Sequence, residues 1–167
     1  AHMLPIYRQQ DGKDTRGKNS DVFKKVNRSL YLGRNILIFG EGFTDDTPIR
    51  GLKPVKKGPV RMGFEALEAT QWKKKIYICG MGVSYTDRNT MGSEFVLDNG
   101  PKICLNDFKE AYEESPSKVV NEITKRSEKD MQECIVYVAD HHRYSLLENV
   151  MQITRKGFNN ENHNKRI

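Results

Sequence analysis

Glu41 stands between two glycines, Gly40 and Gly42, directly after the apolar run Asn35-Ile36-Leu37-Ile38-Phe39. Small neighbours let a ligand approach the backbone, and a carboxylate there can accept hydrogen bonds from the hydroxyls of a polyol. Downstream, Arg50, Lys53, Lys56, Lys57 and Arg61 gather around Gly58-Pro59, where proline reads as the first residue of a helix. Helix-start N–H groups and cationic side chains together suit a phosphate. Each feature has an ordinary alternative: a structural turn for the glycines, a solvated face for the charges.

Other reactive side chains carry less. The histidines are His2, His141, His142 and His163, and the His141-His142 pair after Asp140 reads as a surface pair. Cys79, Cys104 and Cys134 are unevenly spaced without a C-x-x-C, which fits neither a metal site nor a disulfide framework and favours a reducing, cytoplasmic compartment. Cys79 falls in an apolar run and reads as core. Trp72 and Tyr112 read as packing residues rather than stacking platforms.

The elements that must position Glu41 follow an α/β grammar. Residues 9–20 are polar and Gly-containing and read as a loop, with Ser20 capping the helix that follows. Val22, Phe23, Val26 and Leu30 recur at helical spacing, and Gly33 stands where a helix C-terminus favours positive φ. The spacing then predicts a buried strand at 35–39 and the glycine loop. A second helix from Gly58-Pro59 turns Val60, Phe64 and Leu67 inward, and Ile76–Val83 reads as a second buried strand. Residues 94–97 and 102–105 read as two strands joined by an Asn99-Gly100 turn. Pro116 opens a helix with Val119, Val120, Ile123 and Met131 inward. A last helix spans about 144–153, before a polar tail at 158–167.

The whole chain supports one domain. Its 167 residues suffice for a core, and 37% hydrophobic with 30% charged residues is globular but polar. No stretch approaches the ~18–20 apolar residues of a membrane span, and no signal peptide pattern opens the chain. Ala1-His2-Met3 reads as a cloning scar, and Leu4-Pro5-Ile6-Tyr7-Arg8 begins in mid-pattern, as a fragment would. The excess of 28 basic over 22 acidic residues, net +6, favours an anionic partner: a phosphate-bearing substrate, an anionic lipid surface or nucleic acid.

Four ordered segments between residues 4 and 105 resemble conserved blocks of the glycerol-phosphate and 1-acylglycerol-phosphate acyltransferases. Leu4-Pro5-Ile6-Tyr7-Arg8 is similar to the second block, Ile-Pro-(Val/Ile)-x-Arg. Ile38-Phe39-Gly40-Glu41-Gly42 resembles the third, Phe-Pro-Glu-Gly-Thr, and Leu52 to Gly58 the Leu-x-x-(Phe/Leu)-Lys-x-Gly entry to a helix. Ile76 to Tyr85 resembles the fourth, an apolar strand. Gly40 and Gly80 stand where the family has prolines, suggesting looser turns, and Phe43-Thr44 where Thr-Arg is commoner.

The resemblance implies a mixed sheet flanked by helices, with residues 4–157 a partial acyltransferase domain. It implies acyl transfer from acyl-CoA or acyl-carrier protein, as co-substrate, to a glycerol-phosphate or lysophospholipid hydroxyl. Arg8 would contact the phosphate with Lys53, Lys57 or Arg61, while Glu41 and Gly42 would hold the glycerol. No metal or redox cofactor is called for. The family works at the cytoplasmic membrane face, where a basic excess suits anionic lipid. Its general base is the histidine of a His-x-x-x-x-Asp motif upstream of the second block. No histidine here has aspartate five positions on, so the chain alone is expected to be inactive. A basic α/β module binding phosphorylated ligands or nucleic acid is the main rival, weakened by the lack of an aromatic-interleaved basic strand. A hydrolase using Glu41 lacks a partner carboxylate at a persuasive spacing.

Overall fold

The computed structural model describes residues 3–5, 15–41, 51–85, 91–92, 94–147, 149–150 and 153. In chain order these form α1 (Thr15–Tyr31), α2 (Gly58–Ala69), β1 (Tyr77–Tyr85), β2 (Phe95–Cys104), a 3-10 turn at Leu105–Phe108, α3 (Lys109–Glu114) and α4 (Pro116–Glu133). A second 3-10 turn at His141–Arg143 leads into helical backbone at 144–147 and 149–150. Helices and a sheet are both present, as expected for an α/β chain.

The core lies where α2, α4 and the base of the β1–β2 hairpin converge. Val60, Phe64 and Leu67, spaced to share one face of α2, are buried against Ile76, Ile103, Leu105, Val119, Val120 and Ile123. Met131, expected inward, is half-buried. Tyr112 stacks on Phe64 with ring centroids 4.0 Å apart, and Trp72 closes the group at 6.2 Å from both rings. Both aromatics are packing residues, as their sequence context suggested. A smaller cluster of Val22, Val26 and Met62 joins α1 to α2, with Leu4, Ile36 and Ile38 against it.

Helix α1 starts at Thr15, so Ser20 lies inside it and is not its cap. The apolar stripe of α1 begins only at Val22, which hid the polar first turns. At the other end the expectation holds: Gly33 takes φ +73°, Gly33 N–H bonds Leu30 O, and Arg34 N–H bonds Ser29 O. That is a Schellman cap.

The 35–39 run is extended but is not a buried strand. Ile36 and Ile38 face α1 and α2, whereas Leu37 and Phe39 are exposed, and the run pairs with no strand among the described residues. The described sheet has two antiparallel strands. Asn99-Gly100 is not a hairpin turn either. Residues 95–104 form one strand paired along β1 from Tyr77↔Cys104 to Tyr85↔Phe95, and the register shifts by one residue between Cys79 and Met81. A long partner strand absorbs the Asn-Gly pair as an irregularity instead of a reversal.

Gly80 serves close packing rather than a loose turn. A Cβ there would lie 2.7 Å from Met131 Cγ, and one on Gly82 would lie 2.2 Å from Cys134 O. With no side chains on these two positions, the end of α4 rests directly on the backbone of β1.

Candidate functional site

The loop after Phe39 is closed by two hydrogen bonds. Glu41 Oε1 accepts the backbone N–H of Lys53 at 3.3 Å, and the Lys56 N–H donates to Gly40 O at 2.8 Å. The end of the 34–39 segment is thereby pinned to residues 52–57, which enter α2. Gly40 eases this approach, because a Cβ there would stand 3.0 Å from Val55 Cγ1, which would have to shift slightly. Glu41 is half-buried, and one of its oxygens is already committed to the backbone. The other oxygen has the lone pairs through which a carboxylate can accept a ligand hydroxyl.

Lys53 is half-buried with its Nζ out of solvent, while Lys56 and Lys57 are exposed. Lys57 is the N-cap of α2 and makes no side-chain capping bond. Pro59 follows within the first turn and removes one N–H, leaving Gly58 and Val60 to supply the nearby backbone donors. The backbone ties from Gly40 and Glu41 thus reach residues 53 and 56, immediately before the start of α2 at Lys57 and Gly58. That arrangement suits an anionic group attached to a hydroxyl-bearing body.

Arg61 goes elsewhere. It is exposed one turn into α2 and lines a cavity of about 150 Å³ with Glu65, Tyr112, Pro116, Ser117 and Val120, at the start of α4. Burial pushes the Glu65 carboxyl above its ordinary value, with Glu68 adding to the rise and Arg61 opposing it. Burial likewise raises the Tyr112 phenol, with Glu68 and Glu65 reinforcing it. Thus the structure ties Glu41 to the backbone of Lys53, places Lys57 at the N-cap of α2, and turns Arg61 toward α3 and α4. Arg8 and Gly42, the other two sequence candidates, lie outside the described residues.

The remaining candidates fall away from this loop. Cys79 is half-buried rather than core, and its Sγ donates to Gly100 O at 3.2 Å. Burial raises the Cys134 thiol, which opposes formation of a reactive thiolate. His142 is exposed, as expected of a surface histidine, with its backbone N–H bonded to Asp140 Oδ1. Among the described residues, no group of three or more His, Cys, Asp or Glu could hold a metal, and no helix is long and apolar enough to cross a membrane.

Sequence reasoning missed Asn106. Its Oδ1 accepts the Ile76 N–H at 3.1 Å, and its Nδ2 donates to Lys74 O at 2.9 Å and more weakly to Trp72 O at 3.5 Å. This side chain ties the end of the Lys73–Lys75 run to the turn after β2. A lone asparagine thirty residues away gives no spacing signal.

No family model matches this chain, and neither a curated protein nor a solved structure matches it.

Proposed function

We propose that this chain is the acceptor-holding part of a glycerolipid acyltransferase, built on a mixed sheet flanked by helices. In this reading an acyl group passes from acyl-CoA or acyl-carrier protein to a hydroxyl of glycerol phosphate or a lysophospholipid, at the cytoplasmic face of a membrane. Glu41 receives the acceptor hydroxyls and Lys57 and Arg8 balance the phosphate, while Lys53, its Nζ out of solvent, has a weaker claim. Arg61 has a weaker claim, because it lines the cavity beside α4. The general base that takes the hydroxyl proton comes from residues other than these, so acyl transfer is not a property of this chain alone.

One observation carries the reading. The Glu41–Lys53 closure holds Gly40 and Glu41, at the end of an extended segment, against the basic stretch entering α2. The ordered resemblance of residues 4–8, 38–42, 52–58 and 76–85 to the four family blocks gives that geometry a chemistry.

Calorimetric titration with sn-glycerol 3-phosphate tests it. Binding is expected, weakened about tenfold by Lys57→Gln and by Glu41→Ala, the loss of one or two good hydrogen bonds each. Free thiol released from acyl-CoA in the presence of a lysophospholipid would place a base within this chain and overturn that division of labour. Tight, steeply salt-dependent binding of single-stranded RNA, with none of the phosphate ester, would replace the reading by a nucleic-acid module.

A further inference from the structure

The two faces of the β1–β2 hairpin differ. One is covered by α4 and its C-terminal cap around Gly80, Gly82 and Gly100, although Val96, nearer the tip on that side, is 62% exposed. The other is open, and the register puts Tyr77, Cys79, Met81, Val83 and Tyr85 there, opposite Cys104, Lys102, Asn99, Leu97 and Phe95. Its large apolar members are exposed by 51% (Tyr77), 38% (Met81), 41% (Val83), 52% (Tyr85), 64% (Phe95) and 53% (Leu97). Counting large side chains at about 150–250 Å² each, they leave on the order of 500 Å² of apolar surface in water. That is within the ~300–600 Å² of the largest apolar patch on a monomer, and such a patch is often functional.

We infer that this face pairs with the same face of a second copy of the chain. This interface is distinct from the Glu41 loop and does not rest on the acyltransferase reading. Two such faces would together bury roughly 1,000 Å² of apolar area, and with Asn99 beside Met81 and the aliphatic stem of Lys102 added they approach the ~1,200 Å² lower bound of specific interfaces. The distribution of side chains suits a two-fold axis near Met81. Met81 and Asn99 occupy the middle of the face, with Val83 and Leu97 on one side of them and Cys79 and Lys102 on the other, while aromatics occupy its ends, Tyr77 at the base and Tyr85 with Phe95 at the tip.

Antiparallel alignment lays the tip of one hairpin over the base of the other, so aromatics meet aromatics. Lys102 is the only charged side chain among the face positions of the register. It lies off the axis beside Cys79, so it opposes not its own copy but the Val83–Leu97 pair, over which its aliphatic stem lies with the ammonium turned to solvent. The base also carries exposed Lys73, Lys74 and Lys75, and the tip carries exposed Glu94. Base over tip therefore brings opposite charges together. A two-stranded sheet with one bare face is marginal in water, and face-to-face packing of two sheets at ~10 Å supplies the missing layer.

Sedimentation velocity of the 167-residue chain from about 1 to 200 µM tests this, because an interface of this size is expected to give micromolar dissociation. The expected result is a saturable monomer–dimer equilibrium. Leu97→Lys should weaken it at least about tenfold, while Leu37→Lys, at an exposed leucine outside the face, leaves it unchanged. Circular dichroism confirms that each variant is folded. At the axis, Met81→Lys and Met81→Glu should each be monomeric alone and pair when mixed, which general stickiness would not produce. A chain that stays monomeric throughout overturns the proposal. So does open-ended association, or a dimer indifferent to Leu97→Lys.

Discussion

The carboxylate of Glu41 reaches twelve residues along the chain to accept the backbone N–H of Lys53 at 3.3 Å. The side chain most easily read as ligand-binding is therefore also a structural tie. The two roles separate by substitution. Glu41→Ala removes the acceptor and should lower stability by about 1 kcal/mol, the usual net value of one hydrogen bond. Glu41→Gln keeps an acceptor oxygen for Lys53 but loses the charge. It should leave the denaturation midpoint nearly unchanged while weakening sn-glycerol 3-phosphate binding in calorimetry. Equal losses of stability in both variants would reduce Glu41 to the tie alone.

Asn106 is expected to matter more for stability than any charged pair on the surface. It answers one N–H and two carbonyls of the segment leading into β1. Asn106→Asp turns the donor that meets Lys74 O into a second acceptor and should cost about 2 kcal/mol in urea denaturation. Hydrogen exchange at the Ile76 amide should accelerate in step. The surface pair Lys24–Asp21, at 3.5 Å and largely exposed, should change stability by under about 1 kcal/mol when either partner is neutralised.

The same cap ends two helices, and only one of them could be read from residue types. At α1, Gly33 announces it. At α2, the Gln71 N–H bonds Glu68 O, the Trp72 N–H bonds Leu67 O, and Gln71 sits at φ +51°. Trp72 then packs into the core beside Leu67. A glutamine in the left-handed region costs about 1 kcal/mol relative to glycine. Gln71→Gly should therefore stabilise the chain by up to about 1 kcal/mol, roughly 2–4 °C in thermal denaturation.

That contrast shows how much was legible. Val60, Phe64, Leu67 and Ile123 declared their burial through helical spacing, because one face of a helix repeats at fixed intervals. The irregularity at Gly100 and the exposure of Leu37 and Phe39 did not, since a short apolar run says nothing about whether a partner strand lies beside it. In the site, Glu41 and the basic entry to α2 could be named from local residue types. Their closure through the Lys53 amide could not, because a backbone donor has no sequence identity. The turning of Arg61 away from the loop depends on which side of α2 it projects from, and α3 and α4 settle that.

Gly82 and Gly80 should differ sharply in tolerance. A methyl at 82 meets the Cys134 carbonyl at 2.2 Å, a backbone group that yields only if the end of α4 moves. A methyl at 80 first meets Met131 Cγ, part of a flexible side chain, although Met131 N and Ser127 O lie 3.3 Å away. Gly82→Ala is expected to cost about 3 kcal/mol and Gly80→Ala about 1 kcal/mol in urea denaturation. The reverse order would mean that α4 does not rest on β1 as the structure has it.

Glu65 gives stability an acid-side dependence of unusual sign for a carboxylate. Burial, then Glu68, raises its folded-state pKa above the ordinary 4.5. The folded protein thus holds the proton more readily than the unfolded chain does. Its contribution is fully present below the ordinary pKa and is lost as pH rises through the raised value. At pH 7 the ionised carboxylate is a cost, softened by Arg61 and by water, because Glu65 is only half-buried. Glu65→Gln should then raise the melting temperature at pH 7, by under about 1 kcal/mol of stability after solvent screening. The difference should close near pH 4, where native Glu65 is already neutral. Paired melting curves at the two pH values would check it, and a gap that widened on acidification would mean that the pairing with Arg61 outweighs burial.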